Sequence, residues 1–147
     1  MENTATYRVL MFDDDDSIRQ VLWHYFDSRG YEVFTFPHPA TCPLDRVPFC
    51  QCPLGESCSD IILSDLNMPF KKGLDFIEEQ LSKGCRCKHM ALMSGDLTQE
   101  DIERASALKI KLFLKPFTIK EVGEWVSEVE KTINPARTLS SWFLGKS

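Results

Sequence analysis

Short apolar runs alternate with amphipathic stretches along the chain. Tyr7 to Phe12, Tyr31 to Phe36, Asp60 to Ser64, His89 to Met93 and Ile110 to Leu114 have strand length and are rich in Val, Ile, Leu and Phe. Between the first two runs, Ile18, Val21, Leu22, Tyr25 and Phe26 recur at i, i+3, i+4, i+7 and i+8, which predicts a helix over Ser17 to Arg29. Ser17 followed by Gln20 has the form of a capping box, and Gly30 stands where a C′ glycine belongs. Val122, Trp125, Val126, Val129 and Ile133 repeat the pattern over Thr118 to Ile133, and Leu74, Ile77 and Leu81 mark another helix. A weaker one runs from Thr98 to Leu108, opened by Thr98 and Asp101. Strands that alternate with helices imply an α/β fold with a parallel sheet covered on both faces, and near-continuous apolar strands fit that burial.

One interval breaks the rhythm. Pro37 to Ser59 holds Pro37, Pro39, Pro43, Pro48 and Pro53 together with Cys42, Cys50, Cys52 and Cys58, a composition that excludes a long regular helix. The pattern therefore predicts one domain over residues 6–133, with a Cys/Pro-rich insertion at 37–59, and a tail over 134–147 too short to fold alone. A length of 147 residues, 43% hydrophobic and 27% charged, agrees with a single globular domain. The net charge of −5 gives no electrostatic case for nucleic acid, and no apolar run approaches the roughly 18 residues of a membrane span. Met1-Glu2-Asn3-Thr4 lacks the basic start and apolar stretch of a signal peptide, so a cytoplasmic protein is expected.

In open parallel sheets the working site lies at the carboxyl ends of the strands. The first run leads into Asp13-Asp14-Asp15-Asp16, the third into Asp65-Leu66-Asn67-Met68-Pro69, the fourth into Ser94-Gly95-Asp96 and the fifth into Lys115-Pro116-Phe117. Taken singly, these are turn residues and helix caps. Together they are costly, because two carboxylates about 5 Å apart repel by roughly 3 kcal/mol at an effective dielectric near 20. A divalent cation helped by Lys115 would neutralise them, and an all-oxygen ligand set suits magnesium.

In this order, each at a strand end, the acidic run, Asp65 to Pro69, Gly73, Met93-Ser94-Gly95 and Lys115-Pro116-Phe117 closely resemble the receiver domain of two-component response regulators, over about residues 6–132. The resemblance implies a doubly wound, flavodoxin-like sheet of five strands in the order 2-1-3-4-5. It implies that Asp65 accepts a phosphoryl group from a sensor histidine kinase or a small phosphodonor, with no other enzymatic activity. Asp13 and Asp14 would hold magnesium with Asp65 and the backbone carbonyl of Asn67; Asp14 is the first choice as direct ligand, and Asp15 the alternative because four aspartates are consecutive. Ser94 would be the switch hydroxyl, Lys115 would pair with the phosphoryl group, and Lys115-Pro116 would be cis. The signal would pass to a downstream protein through the fourth helix, fifth strand and fifth helix. Asn67 and Asp96 occupy positions that tune hydrolysis in this family. The aromatic that the family carries three residues before its lysine is replaced by Leu112, and Phe113 points to the other sheet face.

The cysteines lie outside that resemblance. Cys58 and Cys87 each precede a neighbouring strand by two residues, at the edge opposite the aspartates, and Cys50 and Cys52 can reach the same edge. Zinc–thiolate bonds of about 2.3 Å place sulfurs roughly 3.8 Å apart, so one structural zinc on Cys50, Cys52, Cys58 and Cys87 is expected, with Cys42 or Cys85 as substitutes. The segment also leaves open a metal- or redox-sensing adaptor on the same scaffold.

Overall fold

The computed structural model describes residues 6–68 and 71–144; Pro69 and Met1-Glu2-Asn3-Thr4 lie outside them. β1 (Arg8–Phe12) sits inside a five-stranded parallel sheet with β2 (Glu32–Phe36) on one side and β3 (Ile61–Asp65), β4 (His89–Ser94) and β5 (Lys111–Leu114) on the other, in the order β2-β1-β3-β4-β5. Every residue of β1 and β3 is buried, while the edge strands β2 and β5 are half covered. Alternation divides the apolar side chains between two cores. Val9, Met11, Ile61, Leu63, Ala91 and Met93 pack against α1 (Asp16–Ser28) and the last helix, α5 (Ile119–Glu130). Leu10, Phe12, Ile62, Met90 and Leu92 face α3 (Gly73–Ser82) and α4 (Gln99–Ala107). Leu112 belongs to this second face and Phe113 to the first.

The helix ends refine the sequence reading. Asp15, rather than Ser17, caps α1: its carboxylate accepts the backbone N–H groups of Ser17 and Ile18 at 2.8 and 3.3 Å. A carboxylate is the stronger acceptor and complements the helix dipole, so it displaces the hydroxyl from that role. Gly30, at φ +84°, ends the helix as expected, and the capping boxes Thr98/Asp101 and Thr118/Glu121 open α4 and α5. α5 stops at Glu130 instead of Ile133, because the backbone N–H and hydroxyl of Thr132 both turn back to the Val129 carbonyl.

The proline-rich interval contains a 3₁₀ turn at Pro39–Thr41 and one helical turn, α2 (Pro43–Arg46). α2 docks on α3 through Leu44, whose carbonyl accepts from Gln80 and Lys83, and through Asp45, which takes Lys71 Nζ at 2.6 Å. The segment after α5 is part of the domain body. Ser140 N–H donates to Ser57 O at 2.8 Å beside a parallel bridge between Ser57 and Leu139, and Phe143 is buried edge-on against Phe34. Arg8, 5% exposed, ties the pieces together. Its guanidinium donates to Glu32, to the carbonyls of Cys58 and Ser140 at 2.9 Å, and to Ser141 Oγ. Arg137 forks onto Asp60 nearby.

Candidate functional site

Parallel register aligns the carboxyl ends of four strands on one edge. Phe12 pairs with Ser64, Asp65 with Met93, and Ser94 with Leu114, so the residues at or just beyond these ends converge. The loops are tied by backbone bonds: Asp13 N–H to Phe36 O, Leu66 N–H to Met93 O and Lys115 N–H to Ser94 O. Lys115–Pro116 is a cis peptide. Asp13, Asp14 and Asp65 can each offer a carboxylate oxygen within 4.8 Å of the other two; among the described residues this is the only group of three or more His, Cys, Asp or Glu so gathered. Asp15, occupied in capping α1, stands outside it. β1 ends at Phe12, which turns Asp13 inward and leaves Asp14 exposed at the mouth.

Lys115 Nζ lies 3.0 Å from Asp65 Oδ1 and 3.2 Å from Asp13 Oδ2. Asp13 is fully buried and Asp65 only 6% exposed. Burial pushes both carboxyls above their ordinary range, against the pull of Lys115. Burial alone would lower the Lys115 ammonium, but its bond to Asp65 and the nearness of Asp13 outweigh that and raise it. Three carboxylates against one ammonium leave two negative charges. Oxygen donors, that charge and an exposed Asp14 fit a divalent magnesium ion that keeps water on its open side. Ser94, 1% exposed, is held by three bonds: it accepts from Asn67 Nδ2 at 3.3 Å and Asp96 N–H at 3.1 Å, and donates to Asp96 O at 3.0 Å. The predicted residues Asp13, Asp14, Asp65, Asn67, Ser94 and Lys115 are thus at one edge.

One contributor escaped the sequence reading. Arg19, on α1, donates to the Asp13 carbonyl and pairs with Asp16, which holds the acidic loop against the helix. Its position one turn into the helix was the available signal. Gly73 has a steric reason: a Cβ there would stand 2.1 Å from the Asp65 carbonyl oxygen, so only glycine lets α3 start against that residue.

The cysteines gather at the opposite end. The Cys58 thiol faces the sulfurs of Cys52 and Cys85, and Cys52 also accepts from Cys50. The hydrogen bond from Cys58 holds the Cys52 thiol down to about 6, lowers Cys85 likewise, and leaves Cys58 itself raised. Cys87 differs from the expectation: its sulfur is buried in the core and directed at the His89 carbonyl, 3.6 Å away, and Cys85 takes its place beside Cys58. The reason lies just past α3, where the Lys83 carbonyl at the helix's C-cap accepts the Cys50 N–H at 2.8 Å and docks the 50–52 pair beside Cys85. Cys42 is buried apart, beside Leu44, Asp45, Arg46 and Lys83, with its thiol pushed up to about 12 by burial. All six cysteines are free thiols.

No family model matches the sequence. No curated protein matches it either. Solved structures do match. The chain superposes on the Vibrio cholerae chemotaxis protein CheY4 with a TM-score of 0.67 at 24% identity, covering 85% of this chain and 99% of that one. A response regulator receiver protein from Pseudomonas putida gives 0.70 at 24%, over 86% and 99%. The BeF3-activated DrrB receiver domain gives 0.68 at 15%, over 86% and 98%. No helix among the described residues is long and apolar enough to cross a membrane. With its five parallel strands in the order β2-β1-β3-β4-β5, this chain has the fold of the response regulator receiver domains.

Proposed function

We propose that the domain accepts a phosphoryl group on Asp65 in a magnesium-dependent reaction and passes the signal on as a change of surface. The observation that carries this is Lys115 Nζ bridging Asp65 and Asp13 inside a three-carboxylate group, with Ser94 beside it. An Asp65 carboxylate oxygen attacks the phosphorus; the bond to the donor's leaving nitrogen or oxygen breaks, and a mixed carboxyl–phosphoryl anhydride forms. Asp13, Asp14, Asp65 and the Asn67 carbonyl would hold magnesium, which would supply positive charge for the loose, electron-rich transfer. Lys115 exchanges its contact with the free carboxylate for one with a phosphoryl oxygen. Ser94 gives up its bond to the Asp96 carbonyl and donates to the phosphoryl group instead, which pulls the 94–96 turn and the start of α4 inward. The donor is a phosphohistidine of a sensor kinase or a small acyl phosphate, and the reader is a downstream protein that senses the rearranged face. Intact mass after incubation with acetyl phosphate tests this: one phosphoryl group is expected with magnesium, none with a chelator and none in Asp65→Asn. Full labelling of the variant would overturn the assignment.

A further inference from the structure

Away from the acidic edge, the insertion and the turn before β4 bring four thiols together without bonding any of them. Their sulfurs form a chain of contacts, Cys50 to Cys52 to Cys58 to Cys85. These residues come from two segments, clamped in three places. Cys50 N–H donates to Lys83 O, Arg86 donates to the carbonyls of Cys52, Pro53 and Glu56, and Arg8 to the carbonyl of Cys58. The quartet borders the apolar core, with Cys52 and Cys58 buried in it, yet hydrogen-bond donors are also directed at its sulfurs. The Cys52 N–H points to the Cys50 sulfur and the Cys87 N–H to the Cys85 sulfur. The Ser140 hydroxyl and Trp142 indole address Cys52. The Trp142 Nε1 is buried and has no well-formed hydrogen bond among the described residues, and it addresses the Cys52 sulfur.

We propose that Cys50, Cys52, Cys58 and Cys85 bind one structural zinc ion, at the end of the sheet opposite Asp65. Four thiols release their protons to solvent as four Zn–S bonds form, giving a tetrathiolate of charge −2. N–H donors and the guanidiniums of Arg8 and Arg86, both anchored on carbonyls of ligand residues, are the groups such an anion requires. The sulfurs are a chain rather than a closed tetrahedron. A single χ1 change moves a cysteine sulfur by about 3 Å, the scale of the closure needed. The ion would organise the insertion where the regular helix is missing, and would seat Trp142 and with it the C-terminal segment. The site is independent of phosphoryl transfer.

The full chain, purified with reductant and without a metal-binding tag, should contain one zinc per molecule by elemental analysis. Asp65→Asn should retain it, as should Cys42→Ser and Cys87→Ser, whereas Cys58→Ser and Cys85→Ser should lose it. Because a ligand variant may also unfold, the wild-type chain refolded with cobalt gives a second reading: intense visible bands and thiolate-to-metal charge transfer of a tetrahedral tetrathiolate. Absence of stoichiometric zinc together with six thiols reacting freely in the native protein would overturn the proposal. So would a native disulfide within the quartet, iron in place of zinc, or zinc lost on replacing Cys87 but kept on replacing Cys85.

Discussion

Lys115→Met removes the cation and keeps most of the side chain's bulk. In wild type the ammonium is 3.0 Å from Asp65 and 3.2 Å from Asp13, both buried. At an effective dielectric near 20, each contact corresponds to about 5 kcal/mol of Coulomb attraction, from which the desolvation of three charged groups must be subtracted. Breaking buried pairs from one side typically costs about 3 kcal/mol, and that is the loss expected in metal-free buffer at neutral pH. The two carboxylates then confront each other unscreened, so a divalent ion should relieve the variant more than wild type. If saturating magnesium reduces the loss to about 1 kcal/mol, the difference of about 2 kcal/mol requires the variant to bind magnesium about 30-fold tighter. Urea unfolding followed by tryptophan fluorescence across a magnesium series measures both quantities. The variant should still take phosphate with reduced coupling to the 94–96 turn. A loss that is the same with and without magnesium would refute the electrostatic reading and make Lys115 a packing residue.

Three further outcomes follow from particular contacts. Asp13 and Asp65 titrate above the ordinary value of 3.8, so between that value and the raised ones the folded state binds more protons than the unfolded chain, and stability falls as pH rises through the window. In metal-free buffer Asp13→Asn should therefore be more stable than wild type at neutral pH, an advantage that shrinks as pH falls through that window; an advantage that grows on acidification would contradict this. Gly73→Ala should cost about 3 kcal/mol in thermal unfolding and slow labelling of Asp65, because its Cβ would meet the Asp65 carbonyl at 2.1 Å. Arg8→Met should cost about 3 kcal/mol and free the C-terminal segment, seen as loss of hydrogen-exchange protection at Ser140 N–H; unchanged protection there would show that Phe143 alone holds it.

The order of the strands came only with the resemblance to receiver domains; the parallel sheet itself was legible because each strand is an apolar run and each helix carries its own period. The acidic edge was legible for the same reason: once β1 ends at Phe12, the register of Asp13 and Asp14 follows from strand geometry. What resisted was contact between distant segments. Arg8 reads as one charge in an apolar strand, yet its partners lie 24 to 133 residues away. The tail holds Phe143 and Trp142, but nothing local says that Phe143 packs on Phe34. Cys87, two residues before its strand, was the better placed by spacing; the docking of Cys50 on the Lys83 carbonyl brings Cys85 beside Cys58 instead. Asp15 took the capping role expected of Ser17 because both residues have cap chemistry one turn ahead of the same apolar stripe.

The most direct measurement is the location of the phosphoryl group. After reaction with acetyl phosphate and magnesium, borohydride reduction converts an aspartyl phosphate to homoserine, which tandem mass spectrometry locates in the peptide. The account predicts homoserine at position 65 alone, dependent on magnesium. Homoserine at 13 or 14, or phosphate found only on Ser94, would contradict it.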